Sequence, residues 1–171
     1  MRKMSRSDYK FKYNNYWFVK KLNNLQMGNY LIMITLIENE IRVDEYLDIR
    51  ARVNWKRLSL NQAKKALSNC LFNVKAVDEE GNMIGMGRIV GDGAVICYIQ
   101  DLIVIPTAQN KGVGSIIIKR LKEYVYGLRE ENTTMMLCLM CAKGREKFYI
   151  DNGFTARPTE ALGPGMIMYM E

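Results

Sequence analysis

The run Leu102-Ile103-Val104-Ile105-Pro106-Thr107-Ala108-Gln109-Asn110-Lys111-Gly112-Val113-Gly114-Ser115 decides how this chain is read. Four apolar residues closed by a proline read as the end of a buried strand, since proline cannot donate to a ladder. Residues 109–114 read as a loop whose glycines let the backbone approach a ligand closely. A helical pattern follows from Ser115, with Ile117, Leu121, Tyr124, Val125 and Leu128 on one core-facing stripe. The unpaired N–H groups of such a helix start, with the positive end of its dipole, suit a phosphate or pyrophosphate.

Outward from that run, the pattern predicts a strand at 35–41, a mainly helical segment at 44–55, and a second helix from Ser59 to near Cys70. Ser59-Leu60-Asn61-Gln62 is a capping-box sequence, which fixes the start of the second helix. Apolar runs at 71–77, 83–90 and 94–105, separated by glycine-bearing turns, read as an antiparallel meander. Met135–Met140 reads as a further buried strand, so strand, loop, helix and strand make a right-handed βαβ crossover with 94–105 and 135–140 parallel and adjacent. A short helix at 143–152 ended by Gly153, and a closing strand at 166–170, complete an α/β reading.

The 171 residues suit one domain with a substantial core. A net charge of +7 suggests nucleic acid until it is located: residues 1–32 carry seven Lys/Arg against one Asp, which leaves +1 for residues 33–171. The body is nearly neutral, so nucleic acid is not an expected partner. Residues 1–32 read as a basic extension, disordered or begun from a start set too early (Met27 and Met33 are alternatives), or as a basic aromatic surface-binding arm. The domain itself is expected at 33–171. No apolar run reaches the roughly 20 residues that span a bilayer, and none in residues 1–32 is long enough for a signal-peptide core. No membrane partner and a cytoplasmic location are therefore expected.

Four cysteines (Cys70, Cys97, Cys138, Cys141) in apolar contexts read as reduced thiols. Cys138 and Cys141 have metal-clip spacing, but residues three apart on a strand point to opposite faces, and the chain has no histidine. No metal site is expected, and Ser-His and Cys-His nucleophile systems are excluded.

Three motifs line up in order. Asp101-Leu102-Ile103-Val104-Ile105-Pro106 precedes Gln109-x-x-Gly112-x-Gly114, and Phe148-Tyr149-x-x-x-Gly153-Phe154 follows. A Walker loop would need Gly-Lys-Ser/Thr, but Ser115-Ile116 follow Gly114; a dinucleotide fingerprint would need a third glycine where Ile117 stands. Together the motifs resemble the GNAT superfamily of acetyl-coenzyme-A-dependent N-acetyltransferases, across roughly residues 33–171. The resemblance implies a mixed sheet, an antiparallel meander followed by a βαβ crossover whose parallel strands splay apart, with helices on both faces.

The resemblance also implies roles. Backbone N–H groups of Gln109, Asn110, Lys111, Gly112, Val113, Gly114 and Ser115 would hold the coenzyme's pyrophosphate, with the Gln109 side chain shaping the loop. The strand at Leu102, Ile103 and Val104 would pair with the pantetheine arm, and an N–H near Val104 would stabilise the oxyanion as an amine attacks the thioester. Tyr149 matches the family's general acid for the leaving thiolate, or else is a core aromatic beside Phe148.

The base is open. Where relatives often carry Glu or His, this chain has Tyr98 and Gln100; Asp101 is the only carboxylate near. Asp101 reads equally as base, as anchor for the acceptor ammonium, or as a partner for buried backbone. Strict alternation turns it away from Tyr98 and Gln100, which a bulge would reconcile. Ala142 stands where relatives often have an Asn that bonds pantetheine. On the acceptor side, Arg52 and Trp55 read as substrate contacts, or as ordinary surface and core residues; Gly165 lies in the tight Gly163-Pro164-Gly165-Met166 loop beside the presumed cleft.

The implied activity is acetyl transfer from acetyl-CoA to a primary amine of a small molecule, an amino acid or polyamine, by direct attack in a ternary complex. The alternatives are a protein or peptide acceptor, or a non-catalytic acyl-CoA sensor. A homodimer is compatible with the resemblance by analogy alone.

Overall fold

The computed structural model describes residues 21–27 and 30–170, with side chains from residue 33 onward. Ten of the elements matter here. Strands β1 (Lys21–Met27), β2 (Tyr30–Glu38), β3 (Phe72–Val77), β4 (Met83–Gly91), β5 (Ile96–Val104) and β6 (Met136–Cys138) form one sheet in that spatial order. Helices α1 (Val43–Arg52) and α2 (Leu60–Ser68) lie between β2 and β3; α3 (Val113–Leu128) crosses from β5 to β6, and α4 (Glu146–Asp151) follows. Neighbouring strands are antiparallel up to β5, and β5 and β6 are parallel. The meander and the βαβ crossover are thus where the sequence pattern put them. β1 lies inside the basic segment 1–32, so part of that segment adds a strand to the sheet; residues 1–20 lie outside the described residues.

The helices take the two faces of the sheet for reasons written in single residues. A Cβ added to Gly87 would come within 2.7 Å of both Ile117 and Leu121, and one on Gly85 within 2.9 Å of Ile117. Only glycine lets α3 lie that close on β4. The alternate residue Arg88 points the other way, to α1 and α2, where it donates to the Ala66 carbonyl at 3.0 Å. The capping box forms as expected: Gln62 N–H donates to Ser59 Oγ at 3.1 Å, and Ser59 N–H to Gln62 Oε1 at 2.8 Å. Among the described residues no helix is long and apolar enough to cross a membrane.

Two features of β5 and β6 create a cleft. The β4–β5 register passes from Arg88 opposite Asp101 to Ile89 opposite Ile99, so Gln100 is an extra residue, a β-bulge. Arg88 and Val90 share a face, and their partners Asp101 and Tyr98 therefore share it too. The bulge does reconcile those two side chains. On the other edge, β6 pairs only with Ile96, Cys97 and Tyr98, and the rest of β5 runs on without it.

One strand expectation fails. Residues 166–170 form no strand, and Met166 is 91% exposed. A tail that is apolar at every position has no face to select, and β6 offers just three residues of edge on which to build a ladder.

Candidate active site

The open edge of β5, the start of α3, the end of α1 and the helix α4 enclose a cavity of about 560 Å³. Ile105 N–H donates to the Ile84 carbonyl on β4, so the N–H and carbonyl of Val104 turn the opposite way, toward the cleft. Gln109 Nε2 donates to that carbonyl at 3.0 Å, which pins the loop to the strand end and leaves the Val104 N–H for a ligand.

Beyond it, Asn110 and Gly112 take positive φ values of 58° and 77°, and Gly112 becomes the N-cap of α3. The first helical bond runs from Ile116 N–H to the Gly112 carbonyl at 3.1 Å. The N–H groups of Val113, Gly114 and Ser115 precede it and make an anion-binding nest at the helix start. A Cβ on Gly114 would meet the Phe148 ring at 3.2 Å, so glycine keeps this cradle open beneath Phe148. Val113 contributes only backbone, since its side chain is buried in the core.

Tyr149 forms the opposite wall. Its ring packs edge-on against Phe148 at 5.1 Å and Phe154 at 5.9 Å. Gly153, at φ 88°, turns the chain so that Phe154 N–H reaches the Tyr149 carbonyl at 3.0 Å. That local closure explains the Phe148–Phe154 spacing: the second aromatic buttresses the tyrosine. The phenol lines the cleft with no hydrogen-bond partner among the described residues. Burial, with the nearby Cys141 and Tyr98, pushes its pKa up to about 12, against the opposing pull of Arg145.

Leu102, Ile103, Val104, Gln109, Asn110, Gly112, Gly114, Ser115, Arg52 and Trp55 all line the cleft with Tyr149. Tyr98, Gln100, Gly165, Lys111 and Asp101 do not. The Tyr98 hydroxyl accepts the Met140 N–H at 2.9 Å, tying the chain just past β6 to β5 where the two strands part. Gln100 sits exposed on the bulge, and Gly165 lies against Met140, whose sulfur is 3.2 Å from where its Cβ would be.

Asp101 is the sharpest departure. It is 1% exposed, and Oδ2 accepts from Arg88 Nε at 2.7 Å and from the Tyr46 hydroxyl at 2.8 Å. Oδ1 accepts from Arg50 Nη1 at 3.2 Å. A carboxylate buried off the cleft, with its oxygens taken by two guanidiniums and a phenol, presents no acceptor to an amine there, so the geometry removes Asp101 from the base's place. Two residues went unnoticed in the sequence. Arg145, the N-cap of α4, lines the cleft and reaches Gln109 Oε1 at 3.4 Å. Arg50 holds the loop after α1: Nη2 donates to the Lys56 carbonyl at 3.2 Å, and its guanidinium lies 5.1 Å over the Trp55 ring. A cation four residues before Tyr149 is a readable signal for the first; nothing local marks the second.

A family model described as an acetyltransferase (GNAT) domain matches residues 71–156, half of the chain and all of the cleft's strand, loop and tyrosine. The chain belongs to the GNAT acetyltransferases. It is therefore an acyltransferase enzyme by family. Its relatives include an uncharacterised ycf52-like N-acetyltransferase of Prochlorococcus marinus, 26% identical over 72% of this chain and 70% of that one. Among solved structures, a protein of unknown function from methicillin-resistant Staphylococcus aureus, described as a probable acetyltransferase, has a TM-score of 0.70 and 27% identity. It covers 81% of this chain and 100% of that one. A GNAT family acetyltransferase from Streptococcus pneumoniae gives a TM-score of 0.68 and 25% identity, covering 81% and 100%. These similarities to GNAT proteins extend over the meander and the crossover alike.

Proposed function

We propose that this GNAT acetyltransferase moves an acetyl group from acetyl-CoA to the primary amine of a small molecule, by direct attack with both substrates bound. One observation carries the reading: the open edge of β5, a bare N–H nest and an unpartnered phenol meet in one cleft. Acetyl-CoA supplies an activated thioester whose C–S bond breaks as the new C–N bond forms, the amine giving up a proton and the sulfur gaining one.

The residues divide that work. The nest at Val113–Ser115 fits a pyrophosphate in charge and shape, and Arg145 adds a cation at the same end of the cleft. The Leu102–Val104 edge offers backbone groups to an amide-bearing arm, as a missing strand would. Tyr149 holds its proton throughout the physiological range. Its contribution is therefore a hydrogen bond aimed at the charge that develops on sulfur. Asp101 fixes Arg50, and Arg50 fixes the acceptor loop. The four cysteines, all free, suit a reducing compartment such as the cytoplasm.

Release of free thiol from acetyl-CoA across a panel of amines, read against acetyl-CoA alone, tests the reading. Acceptor-dependent release with an acetylated product is expected. Bound acetyl-CoA with no release for any amine would overturn it in favour of a protein acceptor or a sensor.

A further inference from the structure

We propose, resting on the transferase reading, that the acceptor carries an anionic group beside its amine, that Arg52 receives that anion, and that polycations are excluded. The cleft is lined by two arginines, Arg52 and Arg145, and by no aspartate or glutamate among the described residues. Behind its floor, Asp101 is outnumbered by Arg50 and Arg88, so the buried cluster carries one net positive charge. Beneath the cavity the cluster keeps an excess of positive charge, while on its wall Arg52 is paired one-to-one with Asp48 and Arg145 adds a further cation.

The two lining arginines have different tasks by position. Arg145 lies at the loop end, where it contacts Gln109. Arg52 ends α1 on the far wall, three residues from Trp55. Its ion pair is with Asp48, one turn back on the same helix, through Nε at 2.8 Å. Both partners are about half exposed, so the pair is weak and leaves the Nη groups for a carboxylate, which they match in fork geometry. Trp55, 38% exposed and stacked from behind by Arg50, offers an apolar face for the carbon skeleton between the two polar ends.

The same field bears on the amine. A site with no carboxylate disfavours an ammonium and favours the neutral amine that attacks, which accounts for a cleft without a histidine or a free acid to serve as base. An extended polycation gains nothing there: each further ammonium meets arginine.

The test compares amino acids, their methyl esters and spermidine as acceptors for the full-length protein with acetyl-CoA. The acids should show kcat/KM at least about ten-fold above the esters and spermidine. Arg52→Gln should raise KM for the acids about ten-fold and leave the esters nearly unchanged, and Arg52→Lys, which keeps the charge but loses the fork, should retain only part of the preference. Esters or spermidine matching the acids, or Arg52→Gln lowering all acceptors alike, would overturn the proposal. Should no amine release thiol, calorimetric binding of the same amines to the CoA-loaded protein decides separately. Acid-selective binding lost in Arg52→Gln upholds the charge assignment while the transferase reading falls, and binding without charge selectivity overturns the assignment itself.

Discussion

Tyr46 and Tyr149 both adjoin β5, and they are opposites. The Tyr46 hydroxyl is buried and donates to Asp101 at 2.8 Å, in a cluster closed by Arg88 and Arg50. Tyr149 stands in the cleft wall with its hydroxyl unpartnered among the described residues. Buried polar groups are normally satisfied from within, and a satisfied cluster holds elements together. Here it joins α1, α2, β4 and β5, and through Arg50 the loop at Lys56. A polar group left open on a cavity is held in place by packing yet free to bond a ligand. One centre therefore maintains the shape of the cleft, and the other is, on the proposed function, the one that acts inside it.

Substitutions should break the two centres in different currencies. The largest effect is expected from Asp101→Ala, which leaves the buried Arg88 and the part-buried Arg50 without their carboxylate and should cost about 3–5 kcal/mol in denaturant unfolding. Tyr149→Phe should leave stability within about 0.5 kcal/mol of wild type. It should lower kcat about 100-fold with acetyl-CoA affinity nearly unchanged, as expected for loss of one transition-state hydrogen bond. Gly114→Ala sharpens the division further. Its methyl must displace the Phe148 ring, so acetyl-CoA affinity by calorimetry should weaken about ten-fold, for a stability cost of about 1 kcal/mol.

The smallest effect is an absence. With its pKa raised to about 12, the Tyr149 phenol loses its proton only as pH rises through that value. The kcat profile should thus show no falling limb from this group below about pH 11. A fall between pH 8 and 9 that disappears in Tyr149→Phe would show that the phenol ionises early and would contradict the environment described for it.

The sequence made the second centre legible and hid the first. Gln109–Ser115 and Phe148–Phe154 are local: a glycine turn, a helix start and a buttressing aromatic each arise from residues a few positions apart. The roles proposed for them rest on backbone chemistry that a short window reveals. Asp101, by contrast, finds its partners at separations of 55, 51 and 13 residues, set by how the meander folds α1 and α2 onto the sheet. No periodicity in the chain encodes that meeting. The bulge at Gln100 depends likewise on the partner strand. Gly85 and Gly87 lie within the 83–90 strand pattern, and only α3 resting on them makes glycine necessary there. The tail at 166–170 misled because apolar composition alone promises a strand, whereas a strand also needs an edge to pair with.

Hydrogen exchange with and without acetyl-CoA tests the central claim most directly, because it reads backbone N–H groups one segment at a time. The account predicts that acetyl-CoA slows exchange at Val104 and across Val113–Ser115, the N–H groups left without partners at the cleft, while α1 around Tyr46 is unchanged. Protection confined to α1, or none at the α3 start despite bound acetyl-CoA, would contradict it.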